Sequence, residues 1–201
     1  MFGVLAFGDS ITFGRGNVPS FSWADIFKKE FEKKDSENVF YNLGVPGDTS
    51  TTLLKRINSE LESRVQSYRE NSRFAVIIMT GTNDTKHYGK NHAIETPKKK
   101  FEANFKKIIK TSLKHTKEAI IIGLTPVDEK RTQPFQEKYF SNEIILEYNQ
   151  ILREVALENN VKFIDVFDSI EHSDLADGLH LNKKGHKKLY HTIKEELHFD
   201  I

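Results

Sequence analysis

The feature that most constrains the fold of this chain is a regular alternation. Short, nearly continuous apolar runs are separated by longer stretches in which apolar residues recur at helical spacing. The runs lie at residues 4–7, 39–43, 74–79, 119–124 and 161–164. Side chains of a strand point alternately to its two sides, so a continuous apolar run predicts a strand covered on both faces. The intervening apolar sets are Trp23, Ile26, Phe27 and Phe31; Leu53, Leu54, Ile57, Leu61 and Val65; Phe101, Phe105, Ile108, Ile109 and Leu113; Ile144, Ile145, Tyr148, Ile151, Leu152, Val155 and Ala156; and Leu189, Ile193 and Leu197. Helix starts are marked by Ser22 with Asp25 as a capping box, by Asp48–Thr49, by Thr96 and Pro97 as cap and first-turn residues, and by Asn182. Strands alternating with helices predict a parallel sheet with right-handed crossovers, a three-layer α/β/α sandwich of about five strands. With no internal repeat, low-complexity stretch or composition break, one domain is expected over residues 1–201.

Composition narrows the chemistry. A 201-residue chain with 37% hydrophobic and 11% aromatic residues can bury a substantial core. It has no cysteine, which removes disulfides, thiolate nucleophiles and cysteine-bound zinc. Thirty basic against 29 acidic residues give a formal charge of +1, too balanced to point to nucleic acid or an anionic membrane. The first apolar run, residues 4–7, is far too short to span a bilayer or form a signal core, and nothing basic precedes it. A soluble, cytoplasmic protein without stable membrane insertion is therefore expected, barring an export segment removed ahead of residue 1. The oligomeric state is left open.

The reactive side chains cluster in segments that come after the predicted strands. Gly8-Asp9-Ser10-Ile11-Thr12 comes directly after the first, and Asp177-Gly178-Leu179-His180 lies near the end of the chain. A serine hydroxyl is a weak nucleophile until an imidazole accepts its proton, and a carboxylate fixes the imidazole's tautomer. Asp177 and His180, three residues apart, suit that pairing, so Ser10, His180 and Asp177 are the candidate catalytic residues. Acyl transfer also needs donors for the oxyanion. Gly47, in Asn42-Leu43-Gly44-Val45-Pro46-Gly47-Asp48, offers its amide from a Pro-Gly sequence suited to a type II turn. Asn83, in Gly81-Thr82-Asn83-Asp84, offers a side-chain amide, and the Ser10 amide is the third donor. Each has an ordinary structural alternative: Ser10 a helix cap, Asn83-Asp84 a plain turn. Their arrival at four strand-end loops, where open α/β sheets bind ligands, favours the functional reading.

These four segments resemble, in order, the consensus blocks of the SGNH hydrolases, the GDSL esterase/lipase family. The resemblance spans residues 8 to 180. It implies a flavodoxin-like sandwich, with Ser10 as nucleophile, Asp177 and His180 completing a triad, and Ser10, Gly47 and Asn83 forming the oxyanion hole. It further implies cleavage of carboxylic esters or thioesters (lipid, aryl or acetylated-sugar substrates) through an acyl-enzyme, without metal or organic cofactor. Pro46 departs from the small residue, often serine, common at its position, and offers no N–H there.

Other readings carry less weight. An acyltransferase would use the same residues with an alcohol as acceptor. A non-catalytic ligand-binding α/β module would have no need of the full set. An aspartyl-phosphate phosphatase built on Asp9 would ordinarily carry a second aspartate where Ile11 stands. Asp165, Asp168, Asp174, Asp177 and His180 lack zinc or calcium-loop spacing, so no metal site is expected. Lys106, Lys110, Lys114 and Lys117 read as a solvated helix face. His87, His92, His115, His172, His186, His191 and His198 read as surface or packing residues. The substrate, its acyl chain length and the choice of water or alcohol acceptor are not readable. The segments at 85–95 and 127–139, with Arg131, Phe135 and Tyr139, are candidates to line its pocket.

Overall fold

Five strands form the centre: β1 (Phe2–Gly8), β2 (Val39–Gly44), β3 (Arg73–Met79), β4 (Glu118–Ile122) and β5 (Lys162–Ile164). The computed structural model describes residues 1–16, 21–65, 71–89 and 93–197. All neighbouring strands pair in parallel in the order β2-β1-β3-β4-β5, the flavodoxin-like arrangement. The helices are α1 (Ser10–Phe13), α2 (Trp23–Lys34), α3 (Ser50–Arg64), α4 (Lys98–His115), α5 (Glu129–Thr132), α6 (Asn142–Glu158) and α7 (Lys183–Glu196).

Two buried clusters cover the two faces of the sheet. Val4 and Ala6 of β1 join Trp23, Phe27 and Phe31 of α2 and Leu189, Tyr190 and Ile193 of α7. Leu5 and Phe7 join α3, α4 and α6 through Leu53, Ile57, Phe101, Phe105, Ile145 and Leu152. The alternation along β1 is the two-residue period of a strand, and both of its faces are apolar because both are covered. The sandwich expected from the sequence is present. Aromatic pairs fill both layers, with Phe27 lying 5.1 Å from Phe40 on one side and Phe101 lying 4.7 Å from Tyr148 on the other.

Three local expectations are corrected. α4 begins one residue later than predicted: Pro97 is its N-cap, with φ −56° and ψ 145°. Thr96 is instead occupied by Asp84, donating its amide to the Asp84 carbonyl at 3.1 Å and hydrogen-bonding the Asp84 carboxyl with its side chain. β4 stops at Ile122 rather than at residue 124. The Asn149 side chain takes over there, accepting from the Leu124 amide at 2.7 Å and donating to the Leu124 carbonyl at 3.1 Å. Leu113, expected on the buried stripe of α4, is 39% exposed near the end of that helix.

The strand register also aligns the loops that carry the reactive residues. Gly8 of β1 lies beside Gly44 of β2 and Met79 of β3, so three chain segments leave the sheet abreast at its carboxyl edge. β1 and β3 flank the point where strand order reverses, which is where such sheets form a crevice.

Candidate active site

Ser10 leaves β1 through a turn that only a glycine permits. A Cβ on Gly8 would sit 2.0 Å from Thr12 Oγ1 and 2.7 Å from the Met79 carbonyl oxygen. Asp9 caps the short helix α1 by accepting from the Ile11 amide at 3.0 Å. Burial pushes the Asp9 carboxyl up to about 7, with its hydrogen bond from Ile11 and the nearby His180 only partly opposing. A carboxyl spent on a cap and 2% exposed is poorly placed to attack a phosphoryl group, which disfavours the phosphatase alternative.

The loop before α7 supplies the other two groups. The Asp177 Oδ1 atom accepts from the backbone amides of Leu179 at 3.0 Å and His180 at 2.7 Å, and Oδ2 lies 2.7 Å from His180 Nδ1. Partial burial works against the charge on Asp177. Hydrogen bonds from the His180 ring, the His180 amide and the Leu179 amide outweigh it and hold the carboxyl at about 2. An ionised Asp177 fixes the tautomer: Nδ1–H donates to Asp177, leaving Nε2 as an acceptor. His180 Nε2 lies 3.0 Å from Ser10 Oγ. The loop is braced from outside, since the Asp128 amide donates to the Gly178 carbonyl at 2.8 Å and the Arg131 guanidinium to the Ala176 carbonyl at 2.7 Å.

The remaining candidates face the same cleft. Gly47 takes φ +86° and the Asp48 amide bonds the Val45 carbonyl at 3.0 Å, the signature of the predicted type II turn. Asn83 donates one amide hydrogen to the Asp48 carbonyl at 3.0 Å, which orients its side chain and leaves its second hydrogen free for another acceptor. The Ser10 and Gly47 backbone amides find no acceptor among the described residues. A cleft of about 260 Å³ is lined by Ser10, Gly47, Asn83, Asp177 and His180, together with Arg15, Gly16, Pro46, Phe135, Gln136, Lys138, Phe140 and Leu179. A hydroxyl, an imidazole and a carboxylate in series, beside unpaired amide donors, can activate a nucleophile and receive an oxyanion.

The site gathers some of the predicted residues and leaves others out. Phe135 reaches it, with its ring edge-on to His180 at a centroid distance of 6.0 Å. Arg131 braces the Asp177 loop, and Tyr139 stacks on His87 at 5.6 Å. Asp165 pairs with Arg153, and Asp174 with Lys184 and Lys188, so these acids serve other contacts. Lys106 pairs with Glu102 and Glu158, each at 2.7 Å. His186 is buried, with Nδ1 accepting from the Trp23 amide at 3.3 Å. His92 and His198 lie outside the described residues. Arg56 belongs to none of the sequence motifs, yet it pairs with Asp48 at 2.7 Å and donates to the Leu43 carbonyl at 2.8 Å. Its eight-residue spacing from Asp48 is the one available signal.

The sequence profile of the GDSL-like Lipase/Acylhydrolase family matches residues 6–188. The chain belongs to that family. Membership makes ester hydrolysis its general class of activity. Among similar solved structures is a lipase/acylhydrolase from Enterococcus faecalis, 27% identical, with a TM-score of 0.75 over 98% of this chain and 95% of that one. A psychrotrophic esterase from Pseudoalteromonas sp. is 20% identical, with a TM-score of 0.72 over 98% and 99% of the two chains. A catalytic mutant of an acetylxylan esterase from Geobacillus stearothermophilus is 18% identical, with a TM-score of 0.74 over 98% and 94%. No curated protein sequence matches the chain. No helix among the described residues is long and apolar enough to cross a membrane.

Proposed function

We propose that this GDSL-family chain is a serine hydrolase that cleaves carboxylic esters or thioesters with Ser10, His180 and Asp177. The observation that carries the proposal is the 3.0 Å contact between His180 Nε2 and Ser10 Oγ, residues 170 apart in sequence. His180 takes the proton from Ser10 as the oxygen attacks the acyl carbonyl, and Asp177 stabilises the imidazolium. The amides of Ser10 and Gly47 and the side chain of Asn83 receive the oxyanion. His180 then gives its proton to the leaving alcohol or thiol, which departs as the ester or thioester bond breaks. Water repeats the sequence on the acyl-enzyme, releasing the acid and restoring Ser10. No step calls for a metal or organic cofactor.

The test is Ser10→Ala against p-nitrophenyl esters, paired with labelling by a fluorophosphonate. Turnover is expected to fall by about 10³-fold or more with the fold unchanged. The wild-type protein gains the phosphonyl mass on Ser10 and the variant does not. Near-wild-type turnover by a folded Ser10→Ala protein refutes the assignment.

A further inference from the structure

Two cations on the wall of the cleft have no part in the chemistry above. Among the described residues, the Arg15 guanidinium has no ion pair, hydrogen bond or aromatic partner, whereas Arg56, Arg64, Arg73, Arg131 and Arg153 each have one. The Lys138 ammonium is likewise without a partner among the described residues, although the side chain is only half exposed. Both residues line the same cleft as Ser10 and His180. The acid in that lining, Asp177, is committed to His180 and two backbone amides.

Their backbones are held in place before any ligand arrives. The Arg15 amide donates to the Ser10 carbonyl at 2.9 Å, which ties this cation to the candidate nucleophile's own segment. Lys138 closes a two-residue hairpin: the Phe135 amide bonds the Lys138 carbonyl at 2.6 Å, and the Lys138 amide bonds the Phe135 carbonyl at 3.0 Å. The two central residues, Gln136 and Glu137, have φ values of 48° and 69°. Such hairpins usually place glycine or asparagine there, so this one is strained by its own sequence. Strain of this kind persists where neighbouring contacts hold it. Here Tyr139 pairs with His87 through backbone bonds of 2.8 and 3.2 Å just beyond the turn. The turn thereby keeps Phe135, Gln136 and Lys138 on the cleft wall.

We infer that Arg15 and Lys138 make this site selective for esters that carry an anionic group, such as a carboxylate, near the scissile bond. The inference rests on the hydrolase reading of the site and adds its substrate class. Formal net charge is only +1, so an attraction for anions has to come from local placement and not from the molecule as a whole. A planar guanidinium and an ammonium lining one cleft, each without a carboxylate of its own, can take up a substrate carboxylate without first breaking an ion pair.

Two matched ester pairs test it and separate the two sides of the scissile bond. On the acyl side, p-nitrophenyl hemisuccinate is compared with its methyl ester. On the alcohol side, 4-acetoxybenzoate is compared with methyl 4-acetoxybenzoate. Wild-type kcat/KM is expected to favour the charged member of at least one pair by about tenfold at low ionic strength, the size of one charge-assisted hydrogen bond at a partly exposed site. That ratio falls towards one in the Arg15→Gln/Lys138→Gln double variant, shrinks as salt is raised, and turns towards the neutral member in Arg15→Glu. A ratio near one for both wild-type pairs, or a preference that survives the double variant, overturns the inference while leaving the hydrolase reading intact. If wild-type protein cleaves none of the four esters and Ser10 resists fluorophosphonate, the hydrolase reading falls and this inference falls with it.

Discussion

Asp177 uses one carboxylate for two tasks: Oδ1 collects the amides of Leu179 and His180, and Oδ2 meets the His180 ring. The first shapes the loop, and the second sets the tautomer. Asp177→Asn separates them. An amide oxygen at the Oδ1 position still receives the backbone donors, but the amide nitrogen then faces Nδ1 and favours the wrong tautomer. The expected result is a fall in kcat of about 10²–10⁴-fold with little change in KM, measured on a p-nitrophenyl ester. An unchanged kcat would mean that the imidazole is oriented without Asp177. Asn83→Ala, which removes a single proposed oxyanion donor, is expected to cost about 10²-fold in kcat. Both residues were legible in the sequence because the chemistry constrains residue type and local spacing. Arg15 and Lys138 were not legible as a pair. Nothing in a glycine-flanked arginine or a loop lysine shows that it will line the cleft of Ser10 until the fold brings residues 15 and 138 to it.

At the scale of elements, the site depends on strand ends being level. Arg56 of α3 holds them so: its guanidinium reaches Asp48 at 2.7 Å, the Leu43 carbonyl of β2 at 2.8 Å and the Gly8 carbonyl of β1 at 3.5 Å. The Asp48 carbonyl in turn holds the Asn83 side chain at 3.0 Å. Asp48 and Arg56 are mostly buried, with side chains 7% and 19% exposed. Removing the cation leaves a carboxylate without its partner in a place water reaches poorly. Arg56→Met is expected to lower stability by about 3 kcal/mol in urea unfolding, and to lower kcat through Asn83. Arg56→Lys should recover little, because an ammonium cannot reproduce the fork that spans these acceptors. An unchanged urea-unfolding curve for Arg56→Met would show that this cation does not hold the strand ends. Elements of this length were legible wherever apolar periodicity ran for several turns, as in α2, α4 and α6. The four-residue helices α1 and α5 were not, since one turn carries no period to read. Nor was the end of β4, which is set by Asn149 from a helix 25 residues away in sequence.

Across the whole molecule, two buried titratable groups oppose each other in their effect on stability. Burial pushes Asp9 up to about 7, and burial pushes His186 down to about 4. Between about pH 4 and 6.5 the folded chain therefore keeps a proton on Asp9 that the unfolded chain has released. Over the same range the unfolded chain binds a proton at histidine that folded His186 refuses. Stability rises with pH where the unfolded state holds more protons. Asp9 thus makes stability fall as pH rises through this window, and His186 makes it rise. Asp84, also raised by burial, adds to the Asp9 side. The two variants separate the opposing effects while keeping an acceptor for each buried amide: Asn in place of Asp9 for Ile11, and Gln in place of His186 for Trp23. Relative to wild type, Asp9→Asn is expected to steepen the rise of unfolding free energy with pH by about 1.4 kcal/mol per unit, one proton's worth. His186→Gln is expected to shift the slope by a similar amount in the opposite direction. Urea unfolding at three pH values across the window gives both slopes. A variant whose curve runs parallel to wild type would show that its group titrates alike in the folded and unfolded chains. Buried titration at that position would then no longer account for any of the pH dependence.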